Sequence, residues 1–208
     1  MIPVTVYSEM TPNPSTMKFV ANKYLLPTGA SVEFENKVAA KGYSPLAEAL
    51  FDFPFVSKVF IAANFVTVAK TDNVPWDFIT MELREFIREW ISFGKEVLIA
   101  MPSQLQLDAT QNDAHDTASN NSNVVPTQFA ASELDDAIID LLDQYVRPAV
   151  ANDGGAIDFL GFEEGKVTVM LKGSCAGCPS STATLKGGIE NLLKQHLPEV
   201  KEVVAFNA

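Results

Sequence analysis

The feature that most restricts the fold is a gap in hydrophobic patterning. From Pro102 to about Ala130 the chain turns polar, and the run from Asp108-Ala109-Thr110-Gln111-Asn112-Asp113 through Ser119-Asn120-Asn121-Ser122-Asn123 has neither aromatic residues nor periodicity. Such a run cannot bury enough apolar surface to offset its chain entropy, so it reads as a linker. It divides 208 residues, 47% of them hydrophobic, into two pieces that can each build a small core. The expected organisation is a folded domain over residues 1–100, a flexible linker over 101–130 and a second domain over 131–208, of α/β (α+β) class. As a flexible coil, about 25 residues span roughly 25 to 30 Å r.m.s., which makes the domains tethered modules.

The first hundred residues contain no cysteine or histidine. Val4 to Tyr7, Lys18 to Ala21 and Ser31 to Glu35 read as short strands, and Ser44-Pro45 starts a short helix that ends near Asp52. Val56 to Ile61 and Phe65 to Ala69 form a hairpin joined through Ala62-Ala63-Asn64. After Pro75, the residues Ile79, Leu83, Phe86, Ile87 and Trp90 make the one-sided stripe of an amphipathic helix, with Gly94 as its stop. Aromatic residues at that spacing could line a ligand pocket, but packing against a sheet is the simpler reading. Glu96 to Ala100 is expected to add a strand.

Beyond the linker the expected order is αββαβ. Ser132-Glu133-Leu134-Asp135 opens a helix as a capping-box variant; Leu134, Ile138, Leu141, Leu142 and Tyr145 form its stripe, and Pro148 limits it just after Arg147. Asn152-Asp153-Gly154-Gly155 is a turn, Ile157 to Phe162 and Lys166 to Leu171 are strands closed by Glu163-Glu164-Gly165, and Val200 to Phe206 is the last strand. Leu185, Ile189, Leu192 and Leu193 mark the intervening helix, which Pro198 ends. Gly187-Gly188 within it costs about 1 kcal/mol per glycine against alanine. The expected reason is close approach to the domain's own sheet, the other candidates being a second subunit or the cysteine loop.

The chemistry concentrates at Gly173-Ser174-Cys175-Ala176-Gly177-Cys178-Pro179, where a β-branched strand meets a helix that Pro179 can start. Cys175 and Cys178 are the only cysteines, and the positive end of a helix favours thiolate, the form that binds metal or attacks a disulfide. Zinc and iron-sulfur clusters usually take four protein ligands, so two cysteines make half a site that a two-fold dimer completes. His115 falls in the polar stretch and His196 about 25 Å along the helix from the cysteines, so neither is expected to complete the set. A thioredoxin-like enzyme shares the local pattern, yet only 33 residues follow Cys175, too few for the rest of such a domain. The small flanks Gly173, Ser174, Ala176 and Gly177 let several chains crowd one object and leave N–H groups for sulfur, which favours a bound metal or cluster.

The formal charge of −11, without clustered Lys and Arg, argues against nucleic acid. No stretch approaches the ~18 apolar residues of a membrane span. Met1-Ile2-Pro3-Val4-Thr5-Val6-Tyr7 begins directly with a strand-like pattern and no presequence. The expected location is the cytoplasm, with a bacterial setting favoured and a mature organellar protein as the other option.

Arg147-Pro148, Asp153-Gly154-Gly155 and Gly173-Ser174-Cys175-Ala176-Gly177-Cys178-Pro179-Ser180-Ser181, in that order and spacing, resemble the NifU C-terminal-type domain of the Nfu iron-sulfur proteins over about residues 131–208. The first hundred residues, with Thr11-Pro12-Asn13-Pro14-Ser15-Thr16-Met17-Lys18-Phe19, resemble the N-terminal domain that accompanies it. The resemblance implies a non-enzymatic scaffold and carrier, a homodimer when loaded, with a labile [4Fe-4S] cluster bridged between its subunits. Cys175 and Cys178 are the implied ligands, apo iron-sulfur proteins the recipients and the upstream cluster assembly machinery the source. Gly154 and Gly155 would support the turn near the site, and the N-terminal domain would serve partner recognition or regulation. A thiol-disulfide oxidoreductase and a zinc-stapled dimerisation module are the alternatives.

Overall fold

The computed structural model describes residues 3–102, 129–176 and 179–207, without the side chains of 179–181. The expected linker therefore lies almost wholly outside the described residues. The chain divides into two compact units, Met1–Asn120 and Asn121–Ala208, each an α+β fold with its own core.

The first unit is an antiparallel sheet backed by helices. Its strands are β1 (Val6–Met10), β2 (Thr16–Ala21), β3 (Ser31–Phe34), β4 (Val56–Ala62) and β5 (Phe65–Lys70), in the order β1-β2-β5-β4-β3. Alternation sends Met17, Phe19 and Ala21 of β2, Val32 and Phe34 of β3, and Val66 and Val68 of β5 into one core. The β4–β5 hairpin is tighter than the sequence suggests: Ala62 pairs with Phe65, so the connection is the two residues Ala63-Asn64. Ala63 takes the left-handed conformation, φ 38°, that such a turn demands. Its carbonyl accepts the N–H groups of Leu25 and Leu26 at 2.6 and 2.9 Å, which holds a non-glycine residue there.

Three helices cover the core face. Asn36 caps α1 (Lys37–Ala40), a short helix with no counterpart in the sequence reading, by accepting the Ala39 N–H at 2.8 Å. Ser44 caps α2 (Pro45–Leu50) as expected: its Oγ accepts the Ala47 N–H at 3.1 Å while donating to the Val97 carbonyl at 2.6 Å. The long α3 (Trp76–Ser92) buries Ile79, Leu83, Ile87 and Ile91, and Gly94 follows it at φ +66°. Phe86 and Trp90 pack at the margin of this core, Phe86 edge-on to Phe53 with ring centroids 5.2 Å apart. The anticipated strand over Glu96 to Ala100 is absent. Val97 and Leu98 instead anchor against the core, and the Ile99 N–H bonds the Tyr43 carbonyl at 2.7 Å, so this segment straps α2 rather than joining a sheet.

The second unit has the expected αββαβ order. Its first helical stretch runs through α4 (Asp135–Leu141), a π-helical turn (Leu142–Val146) and α5 (Arg147–Asn152). Ser132 does not cap this helix as expected: the Ser132 N–H donates to Asp135 Oδ2 at 2.9 Å and the Leu134 N–H to Ser132 Oγ at 3.2 Å, which makes a turn ahead of the helix, whose N-cap is Leu134 without a side-chain bond. Pro148 does not stop the helix. Proline lacks an N–H and its ring crowds the carbonyl four residues back; the π turn widens the coil there, with the Arg147 N–H reaching back five residues to the Leu142 carbonyl. The extra residue shifts the buried face onto Val146 and Val150 and turns Tyr145 outward, where it is 48% exposed.

Two strands follow, β6 (Gly155–Glu163) and β7 (Lys166–Gly173), paired antiparallel with Glu163 opposite Lys166. Glu164 and Gly165 turn between them, both at positive φ. Next, α6 (Pro179–His196) crosses to β8 (Glu202–Asn207), which pairs parallel to β7. Ile157, Val167, Val169, Leu171 and Val203 of this sheet meet Ile138, Leu142, Val146, Val150, Ile189 and Leu193 of the helices in a single core. None of the described helices is long and apolar enough to cross a membrane.

Candidate functional site

The antiparallel pairing of β6 and β7 sets the start of one beside the end of the other, with Gly155 opposite Gly173. This brings two turns together. One leaves α5 through Asp153 and Gly154, the latter at φ +83°; the other leaves β7 at Gly173, φ +67°. Side chains with a Cβ rarely adopt such angles, which accounts for glycine at both corners. Ser174 joins the turns twice, its N–H donating to the Gly154 carbonyl at 3.2 Å and its Oγ to the Asp153 carbonyl. The Ala176 N–H closes the second turn on the Gly173 carbonyl at 3.1 Å. From the first turns of α6, Thr182 Oγ1 donates to the Cys175 carbonyl at 3.2 Å.

Cys175 sits inside this frame, 6% exposed, as a member of the second unit's apolar core. Gly155 provides its space: a Cβ there would lie 2.8 Å from Cys175 Sγ and 2.6 Å from the Lys172 carbonyl oxygen. The missing methyl group is therefore a fitted socket for the sulfur. A Ser174 Oγ at 3.9 Å is a weak polar neighbour of Sγ. One sulfur is thus placed at the corner where β7 passes to α6. As expected, α6 begins at Pro179. Cys178 and Gly177 lie outside the described residues, so the second expected ligand has no described position.

Among the described residues, no three His, Cys, Asp or Glu side chains converge as a metal site. His196 ends α6 and stacks on Tyr145, ring centroids 6.0 Å apart and 20° from parallel; His115 lies outside the described residues. The expected packing of Gly187-Gly188 against the sheet is overturned, since both are exposed and a Cβ at either would meet nothing within 4 Å. Nothing among the described residues of the unit explains this glycine pair. The sequence reading valued Ser174 for its small size and gave Thr182 no role. Their signal was their chemistry: hydroxyls just before and after the cysteine pair, where loop carbonyls lack ladder partners.

Residues 6–94 match the family model described as "Scaffold protein Nfu/NifU N terminal", and residues 138–204 match the one described as "NifU-like domain". Over 200 residues the chain is 38% identical to NifU-like protein 4, mitochondrial, of Arabidopsis thaliana, covering 95% of this chain and 64% of that protein. It is 37% identical to NifU-like protein 5, mitochondrial, of the same plant, covering 95% and 66%. The NFU1 iron-sulfur cluster scaffold homolog, mitochondrial, of Drosophila erecta is 35% identical over 198 residues, covering 95% and 63%. This chain thus spans just under two thirds of each relative's length. These names overturn the expectation of a cytoplasmic, bacterial location, because all three relatives are mitochondrial. That expectation leaned on how the chain begins, and in a chain shorter than its relatives the first residue carries no sorting information. Two family models in the order the motifs require, with relatives that match along both units, make this chain a member of the Nfu family.

Proposed function

We propose that the chain carries a [4Fe-4S] cluster as cargo, held between two copies by Cys175 and Cys178 of each and passed to apo iron-sulfur proteins. The observation that carries this reading is the strand-to-helix corner at Cys175, with glycine at the turns on either side. The scaffold name of the Drosophila relative supports the cargo. Four thiolates suffice for a cubane cluster, and two chains with two cysteines each supply them. A cargo at a subunit boundary is exchangeable, because recipient thiolates replace ligands one at a time and separation of the subunits frees the rest. The chain then works without turnover chemistry of its own, receiving clusters from an upstream assembly machinery. Residues 131–208 hold the cargo, 101–130 tether, and residues 1–100 recognise or regulate partners.

Anaerobic reconstitution with iron and sulfide, followed by size-exclusion chromatography at protein and visible wavelengths, tests it. The expected product is a brown dimer with about four irons and four sulfides, lost in Cys175→Ser and in Cys178→Ser. A colourless monomer contradicts the reading, and zinc in place of iron, or reduction of a disulfide substrate, would replace it. Removing residues 1–100 should leave cluster content unchanged and slow delivery; loss of the cluster would refute that division of labour.

A further inference from the structure

Residues Gly173, Ser174, Cys175 and Ala176 are all buried, and Ser174 is only 2% exposed. A ligand for an object shared with another molecule has to face outward. Here the residue itself is enclosed, not its sulfur alone. Its carbonyl is held by Thr182, its preceding residue is held twice to Asp153 and Gly154, and its sulfur lies in the space left by Gly155. These fastenings are neutral hydrogen bonds to loop carbonyls, which water replaces at small net cost, whereas the strands behind them are joined by a ladder that runs unbroken from Gly155 to Phe159 beside the turn and shifts register only beyond it. Hydrogen bonds that water can replace one at a time therefore lie around the one described thiol.

We propose that Ser174 and Thr182 are positioning residues that hold Cys175 turned inward in the unloaded chain, so that cluster uptake requires the 173–176 turn to open. The proposal rests on the reading of Cys175 as a ligand. Its consequence is that the two hydroxyls set the rate of uptake and not the final amount bound. The enclosed thiol is also shielded from oxidants until the turn opens.

The test uses the full chain with Cys178→Ser, in which Cys175 is the single thiol. Alkylation by iodoacetamide is followed by mass spectrometry, with the same chain in denaturant at the same pH as reference. The folded chain should react at least about tenfold more slowly, with a rate that levels off at high reagent as opening becomes limiting. Ser174→Ala and Thr182→Val should each raise that rate severalfold, while Thr182→Ser, which keeps the hydroxyl, should leave it unchanged. Amide exchange in β7 reports whether the unit stays folded, and should be the same in all variants. In chains that keep both cysteines, Ser174→Ala and Thr182→Val should speed iron uptake without changing the final iron content. Reaction of the folded parent at the denatured rate would overturn the proposal. So would hydroxyl removals that leave alkylation unchanged, or that speed alkylation without speeding uptake. A protected thiol that the hydroxyl removals expose, in a chain that takes up no iron at all, would support the inward-held turn and refute the cluster reading instead.

Discussion

The first unit closes its sheet with carbon, and the second closes the business end of its sheet with hydrogen bonds. In the first, Phe19, Phe34, Leu46, Leu50, Leu83 and Ile87 are fully buried between five strands and their helices. Ion pairs decorate the opposite face of that sheet: Lys18 meets Glu9 at 3.0 Å, and Lys58 meets Glu35 at 3.0 Å. In the second, three strands carry a smaller core that runs out at Cys175, where Ser174 and Thr182 take over. Apolar packing is non-directional and resists local opening, whereas a few neutral hydrogen bonds can be exchanged for water one at a time. An apolar core and a hydrogen-bonded corner are thus divided between the two units, with Cys175 at the corner.

The largest expected effect would break this contrast from the apolar side. Phe34→Ala removes a ring with no exposed surface and should destabilise the first unit by about 3 to 5 kcal/mol. Calorimetry should show one transition falling while the second unit's stays in place; a common fall of both would mean that the units do not fold independently. Next in size is Gly155→Ala, which sets a methyl group against the Lys172 carbonyl and Cys175 Sγ. Overpacking of this kind costs about 1 to 3 kcal/mol. Chemical denaturation should register it in the second unit alone, with lower iron content after reconstitution; unaltered stability would show that the socket is not tight. Ser44→Ala in the first unit should cost about 1 to 2 kcal/mol, through a lost helix cap and a Val97 carbonyl left without its hydroxyl.

The smallest effects come from opposite ends of the pH scale. Lys194 and the Val203 N–H hold the Glu190 carboxyl below its ordinary range, tying α6 to β8. A depressed carboxyl stabilises above its unfolded pKa and ceases to do so as pH falls through the folded value. The Val203 amide resonance should therefore shift below about pH 4.3, and Glu190→Gln should abolish that shift. In the first unit, burial pulls Lys58 down, but the carboxylates of Glu33 and Glu35 outweigh it and leave its pKa raised. That contribution is complete below the unfolded lysine value and fades as pH rises through the higher folded one, above about pH 10.4. Alkali should lower the first unit's calorimetric transition before the second's, whereas acid removes a depressed carboxylate from each unit, Glu85 in the first and Glu190 in the second, and should separate them little.

Legibility in the sequence followed how local each cause was. The cap at Ser44, the glycine stop at Gly94, the stripe of α3 and the strand-to-helix corner at Cys175 all arise within a few residues, and each was readable. Three features were not. The Pro148 stop failed because a single π turn absorbs the proline, and that depends on core positions at Val146 and Val150 that periodicity alone placed elsewhere. The segment after Gly94 has strand-like residues, but Ser44 and Tyr43, some fifty positions earlier, claim its polar groups. Asn36, a good cap in front of a single helical turn, was overlooked because four residues are too few to show a period. At the site, the position of Cys175 just past the end of a strand was legible from the residues around it. Its inward position was not, because that depends on Gly155 and Thr182, brought beside it by pairing and crossover.

The central claim, a cluster shared between two chains, is tested most directly by native mass spectrometry of the anaerobically reconstituted protein. The account requires a species of two chains plus one Fe4S4 unit, which splits into bare single chains when the cluster is chelated. A single chain carrying a whole cluster, or a dimer of the same mass before and after chelation, would contradict it.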